Sequence, residues 1–115
     1  MRIELPFPNG KLSPNRAKGL HWGATSILKG RQFDDAYTLT MQVTGGAKRP
    51  DTEKPMKVIF CEPDRRKRDL DNMLAASKSS IDGIASALGV NDKNFNPITI
   101  IRGVVVKGGL MVVEL

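Results

Sequence analysis

Two aspartates, Asp69 and Asp71, stand two residues apart at the end of the run Pro63–Asn72, PDRRKRDLDN, directly after four consecutive cations, Arg65, Arg66, Lys67 and Arg68. In extended backbone, residues i and i+2 point to the same side. Two carboxylates held that close repel unless a cation lies between them. Magnesium or manganese accepts a few carboxylates and keeps waters for substrate. A metal held this way polarises a phosphoryl oxygen and generates hydroxide near neutral pH. Arginine grips phosphate through a planar fork, so cations beside the acids suit a phosphodiester backbone. A site with both could hold a nucleic acid and hydrolyse it. The same residues have plainer uses: the acids can pair with the arginines or cap a helix, and a charge run is usually a solvated face.

Other groups could join such a site. Asp92, in Val90-Asn91-Asp92-Lys93, is a third acid or a plain loop aspartate. Lys78 follows Asp71 by seven residues; on a helix that is two turns along a similar face. There it could stabilise charge on a phosphorane or leaving oxygen, or simply be an exposed lysine. His21 could touch a phosphate, and Trp22 could stack on an unpaired base or anchor its loop to the core. Ser13 and the Ser77–Ser80 segment lack a base partner at recognisable spacing, which leaves a serine nucleophile little support.

The elements that must position these groups follow from periodicity. Ile3, Leu5 and Phe7 alternate with polar or proline positions, which predicts a short strand over Arg2–Phe7. Asn9–Gly23 reads as a loop carrying Lys11, Arg16 and Lys18. Ala24–Val43 reads as a helix with Ile27, Leu28, Ala36, Leu39 and Val43 on one face, stopped by Gly45-Gly46. Met56–Cys61 is a strand. Asn72–Leu88 is a second helix, with Leu74, Ile81, Ile84, Ala85 and Leu88 as its stripe, Asp71 or Asn72 as its cap, Gly83 as its weak point and Gly89 just past its end. Ile98–Lys107 and Leu110–Leu115 are strands that Gly108-Gly109 should join as a hairpin. The order β-α-β-α-β-β predicts an α+β class. A straight helix over Asn72–Leu88 would run ~25 Å. Asp92 then meets Asp71 only if the helix starts late, bends near Gly83, or the loop folds back, or if a partner subunit supplies it.

Composition bounds the rest. The chain has 115 residues, enough for one domain with a modest core, and with 5% aromatic residues that core must be mostly aliphatic. The formal net charge of +6 favours a polyanionic partner. The one cysteine, Cys61, closes an apolar run, which excludes an intramolecular disulfide or a cysteine-based zinc site and favours a buried strand thiol in a reducing compartment. Without an apolar leader at the N-terminus or a run of ~18 apolar residues, a soluble cytoplasmic protein with no membrane partner is expected.

PDRRKRDLDN resembles the signature of the RusA family of Holliday junction resolvases, common in phages and prophages. LPFP and LSPNR near the start resemble that family's L-P-x-P and S-x-N-R elements, and VVVKGGLMVVEL resembles its closing hairpin. The resemblance implies a single endonuclease domain over residues 1–115 with a small α+β fold: a mixed sheet of about four strands with two main helices. It implies a homodimer, dependent on Mg2+ (or Mn2+), that cuts four-way DNA junctions by paired symmetric nicks in recombination and repair. Asp69, Asp71 and Asp92 would be the metal ligands. Ser13, Pro14, Asn15, Arg16, Arg65, Arg66, Lys67, Arg68 and Asn72 would contact DNA. The family's lysine falls one helical turn after the second aspartate, at Ala75 here; Lys78 is its counterpart after a three-residue insertion. The rival expectations are a non-catalytic basic DNA-binding module and a nuclease for other branched DNA.

Overall fold

The computed structural model describes residues 1–17, 19 and 21–115. The side chains of Asn15 and Ala17, and Lys18 altogether, lie outside the described residues. Strands β1 (Arg2–Leu5), β2 (Lys54–Cys61), β3 (Phe95–Arg102) and β4 (Leu110–Glu114) form one sheet in the order β1-β4-β2-β3. β4 is antiparallel to both neighbours, with Val113 opposite Ile3 on one side and Val58 on the other. β2 and β3 run parallel, Val58 beside Ile100. The α+β class and the four-stranded mixed sheet are therefore as expected.

The expected hairpin is not formed. Gly108 and Gly109 do turn the chain, both at positive φ. The turn, however, delivers β4 to the far side of β2, so β2 separates the two last strands. Gly103 permits the crossing, since a Cβ there would come within 2.8 Å of Ile59 Cγ2 and 2.9 Å of Cys61 Sγ.

Helix α1 is a single turn (Pro14–Ala17) and α2 is long (Trp22–Thr44). Two further helices, α3 (Leu70–Ala76) and α4 (Lys78–Leu88), link β2 to β3. Period-2 alternation turns Ile3, Leu5, Met56, Val58, Phe60, Met111 and Val113 to one side of the sheet, where Ile81, Ile84 and Leu88 of α4 complete one core. Gly45 and Gly89 end α2 and α4 in the left-handed conformation, as the sequence predicts. Cys61 is a free, buried strand residue.

Two expectations fail in α2. Ile27 and Val43 are exposed, and the buried stripe is Ala36 and Thr40, whose hydroxyl donates to the Ala36 carbonyl. Trp22 is 79% exposed and anchors nothing in the core. Gly83 is a contact point and not a weakness: a Cβ there would lie 2.5 Å from the Phe33 carbonyl oxygen. Its absence lets α4 press against α2. No helix among the described residues is long and apolar enough to cross a membrane.

Candidate functional site

The basic run leaves the end of β2 as a tight loop, and its shape comes from one buried carboxylate. Glu62 is 3% exposed. Its Oε2 accepts from the Arg68 amide at 2.8 Å and from Arg68 Nη1 at 3.4 Å, while Oε1 accepts from Arg102 Nε at 2.6 Å. Arg102 also donates, through Nη2, to the carbonyl of Arg68. Arg68 forks onto both oxygens of Asp64, each at 3.1 Å, and lies 5.8 Å over the Phe7 ring. Burial alone would raise the Glu62 pKa, but the Arg68 amide and the Arg102 guanidinium outweigh it and hold the carboxyl below its usual range. Hydrogen bonds from Arg68 likewise lower Asp64. Arg68, expected to contact DNA, lines the groove beside this loop and spends its guanidinium on Glu62 and Asp64. Arg65, Arg66 and Lys67 stay exposed.

A groove of ≈ 580 Å³ opens beside this loop, with Ser13, Arg16, Arg66, Lys67, Asp69 and Asn72 among its lining residues and Phe7 and Met73 as apolar contacts. The N-terminal segment reaches it through a 3-10 turn at Gly10–Leu12 whose cap, Asn9, accepts from the Lys11 amide. Pro14 opens α1, where a proline costs no hydrogen bond. Gln32 of α2 fixes the segment: its Oε1 accepts from the Asn9 amide at 2.7 Å, and its Nε2 donates to the Ala76 carbonyl and Ser79 Oγ. Ser13 and Arg16 and the basic loop, far apart in sequence, thereby line one surface. The His21 ring is spent on a cap, its Nδ1 accepting from the Gly23 amide.

The acids are arranged differently from the extended pair expected. Asp69 is the residue before α3 and Asp71 lies in its first turn. Helical backbone turns them apart: Asp69 lines the basic groove, and Asp71 lines a second hollow of ≈ 510 Å³ with Lys78 and Asp92. Asp71 and Lys78, seven residues apart, share a face, and the chain folds back after α4 to bring Asp92 to Lys78. The helix expected over 72–88 is interrupted at buried Ser77, whose Oγ donates to the Leu74 carbonyl at 2.8 Å. The break falls at Ser77 and not at Gly83.

Lys78 Nζ donates to Asp82 Oδ1 at 2.6 Å and to Asp92 Oδ2. Partial burial would lower the lysine pKa, but these two carboxylates raise it, and the lysine in turn lowers that of Asp92. The Asp92 turn is held by Asp51, which accepts from the Asn91 amide at 2.8 Å and from Asn94 Nδ2 at 2.7 Å. Among the described residues no three His, Cys, Asp or Glu side chains are grouped to hold a metal ion. Asp69, Asp71 and Asp92 as they stand do not fit a divalent cation, because an ammonium already neutralises Asp92 and Asp69 faces elsewhere. Sequence reading missed Glu62, Asp51 and Arg102. Glu62 beside the arginine run was the available hint; nothing local marks Arg102, 40 residues away.

No protein-family model matches the chain. It is 30% identical over 115 residues to an uncharacterized protein of Xylella fastidiosa, spanning 98% of this chain and 74% of that protein. It is also 40% identical over 60 residues to the crossover junction endodeoxyribonuclease rusA of Enterobacteria phage HK97, spanning 52% of this chain and 48% of that protein. The chain belongs to one family with the Xylella fastidiosa protein.

Proposed function

We propose, from the phage similarity and the resemblance of PDRRKRDLDN, that the chain is a RusA-like endodeoxyribonuclease that binds branched DNA and resolves four-way junctions as a homodimer. The observation that carries this reading is the 40% identity to the phage HK97 rusA protein over 60 residues. The groove supports it. Arg16, Arg66 and Lys67 come from two separate elements and present charge to one surface, which suits a phosphate backbone. Symmetric nicking of a two-fold substrate needs two equivalent sites, which a homodimer supplies. Dependence on Mg2+ or Mn2+, with Asp69, Asp71 and Asp92 as ligands, comes from the resemblance alone. The separated acids of the folded chain do not fit the ion, and no catalytic step is derived through it.

The test is cleavage of a labelled synthetic four-way junction with and without magnesium, beside three-way, flap and linear DNA. Magnesium-dependent paired nicks in the four-way substrate support the reading. Preference for flaps would make the chain a nuclease for other branched DNA. A second reading, a non-catalytic basic DNA-binding module, is favoured by one observation: Lys78 bridges Asp82 and Asp92 and so pairs Asp92 with a cation of the protein's own. Binding to the junction without nicks under any metal would decide for it.

A further inference from the structure

Glu62 and Arg102 belong to neither the basic groove nor the acidic hollow, yet they bracket the peptide that joins the two. The Arg68 amide N–H is fixed by Glu62 and the Arg68 carbonyl by Arg102. The next residue is Asp69, from which α3 starts and carries Asp71. Glu62 is itself gripped from behind, its backbone carbonyl accepting from the Val106 amide at 3.0 Å. One buried carboxylate and one arginine from the end of β3 therefore close the base of the loop, leaving Arg65, Arg66 and Lys67 at its exposed tip.

We propose that Glu62 and Arg102 are positioning residues: a staple across the base of the basic loop that sets how Arg66 and Lys67 face the groove and how Asp69 and Asp71 leave it. The proposal rests on the nuclease reading above for its catalytic consequence, but not for its structural one. Arginine suits the task because its Nε and Nη2 reach the Glu62 carboxylate and the Arg68 carbonyl at once, which a single ammonium does not reproduce. Arg102 is partly exposed, its side chain at 34%, so it can be changed without opening the core.

The test variant is Arg102→Lys, which keeps the net charge. Its expected effects are faster amide hydrogen exchange confined to residues 63–72 and a single-turnover cleavage rate about 10- to 100-fold lower, with junction affinity within a few-fold of wild type. Glu62→Gln, which keeps shape but removes charge, should loosen the same segment. Unchanged exchange and unchanged rate in Arg102→Lys overturn the proposal. So does a parallel fall in rate, affinity and melting temperature, which would make Arg102 a prop for the fold as a whole. If the wild type cleaves no branched DNA, the nuclease reading falls by itself, and the exchange pattern alone decides the staple.

Discussion

The Lys78 ammonium sits on the Asp92 carboxylate in the hollow that Asp71 also lines. Both groups are substantially exposed, so the pair contributes less than about 1 kcal/mol to stability. Its larger effect is on Asp92, whose pKa it lowers. In Lys78→Gln the Asp92 carboxyl should titrate at higher pH, back toward the usual aspartate range, with the melting temperature little changed. Carboxyl chemical shifts followed through a pH titration would check this. An Asp92 that titrates identically with and without the lysine would contradict the contact.

If the resemblance's assignment of Asp71 to the catalytic acids holds, Asp71→Asn abolishes junction cleavage; it should leave junction binding in place, because Asp71 faces the second hollow and not the basic groove. Paired gel-shift and cleavage assays on one preparation give both readouts. Cleavage by this variant at the wild-type rate would end its role in the chemistry.

Exposed cations of the groove and the ion-paired Arg68 should behave differently. On the proposed binding of DNA, Arg66→Gln and Arg16→Gln each remove an exposed cation that would meet phosphate, and each should reduce the slope of log affinity against log salt by about 1. Arg68→Gln should leave that slope unchanged. It should instead cost about 1–3 kcal/mol of stability, since it takes a hydrogen bond from buried Glu62. Salt titrations of binding and urea melts separate the two classes.

Acid should weaken the loop base first. The folded-state pKa of Glu62 lies below its unfolded value. Its stabilising contribution is therefore complete above the usual glutamate range and is lost as pH falls through the lowered folded value. Asp64 and Asp92 shift the same way and add to the trend. Urea unfolding from about pH 7 down to pH 3 should show falling stability, and a shallower fall in Glu62→Gln. Equal slopes in the two proteins would mean that Glu62 is not ion-paired in the fold.

Gly83→Ala sets two effects against each other. Alanine favours a helix interior by about 1 kcal/mol over glycine. Here its Cβ would meet the Phe33 carbonyl oxygen at 2.5 Å and Tyr37 N at 3.2 Å, backbone atoms of α2 that have no rotamer to yield. Overpacking costs about 1–3 kcal/mol, so the net change should be destabilising. A thermal melt that rises would refute the close approach of the two helices.

Sequence patterns gave most of the elements but not their partners; the expected loop Asn9–Gly23 holds a 3-10 turn and α1, and the strand expected over Ile98–Lys107 is Phe95–Arg102. Gly45 and Gly89 mark helix ends because a left-handed residue is a local requirement, and both do so in the fold. Gly108-Gly109 turns the chain as expected, yet strand order is a long-range matter, and β4 pairs with β1 and β2 instead of β3. The interruption at Ser77 was hidden, because alanine and serine neighbours suit a continuous helix and the break falls at a buried residue. The spacing of Asp69 and Asp71 suggested one face only while the backbone was taken as extended. In the fold α3 begins between them, and the same spacing separates them. Arg102 sits in an apolar run with no chemical pattern, so only the fold could reveal its place beside Glu62.

The face that Asp71 shares with Ala75 and Lys78 has a bearing on chain length. All three border the same hollow. Each added helical residue rotates everything after it by about 100°, so three together turn it by about 300° and nearly restore the face. A lysine at either position would therefore look into the same space. Length can vary here by such a step without turning the acid-bearing turn away from the lysine it faces.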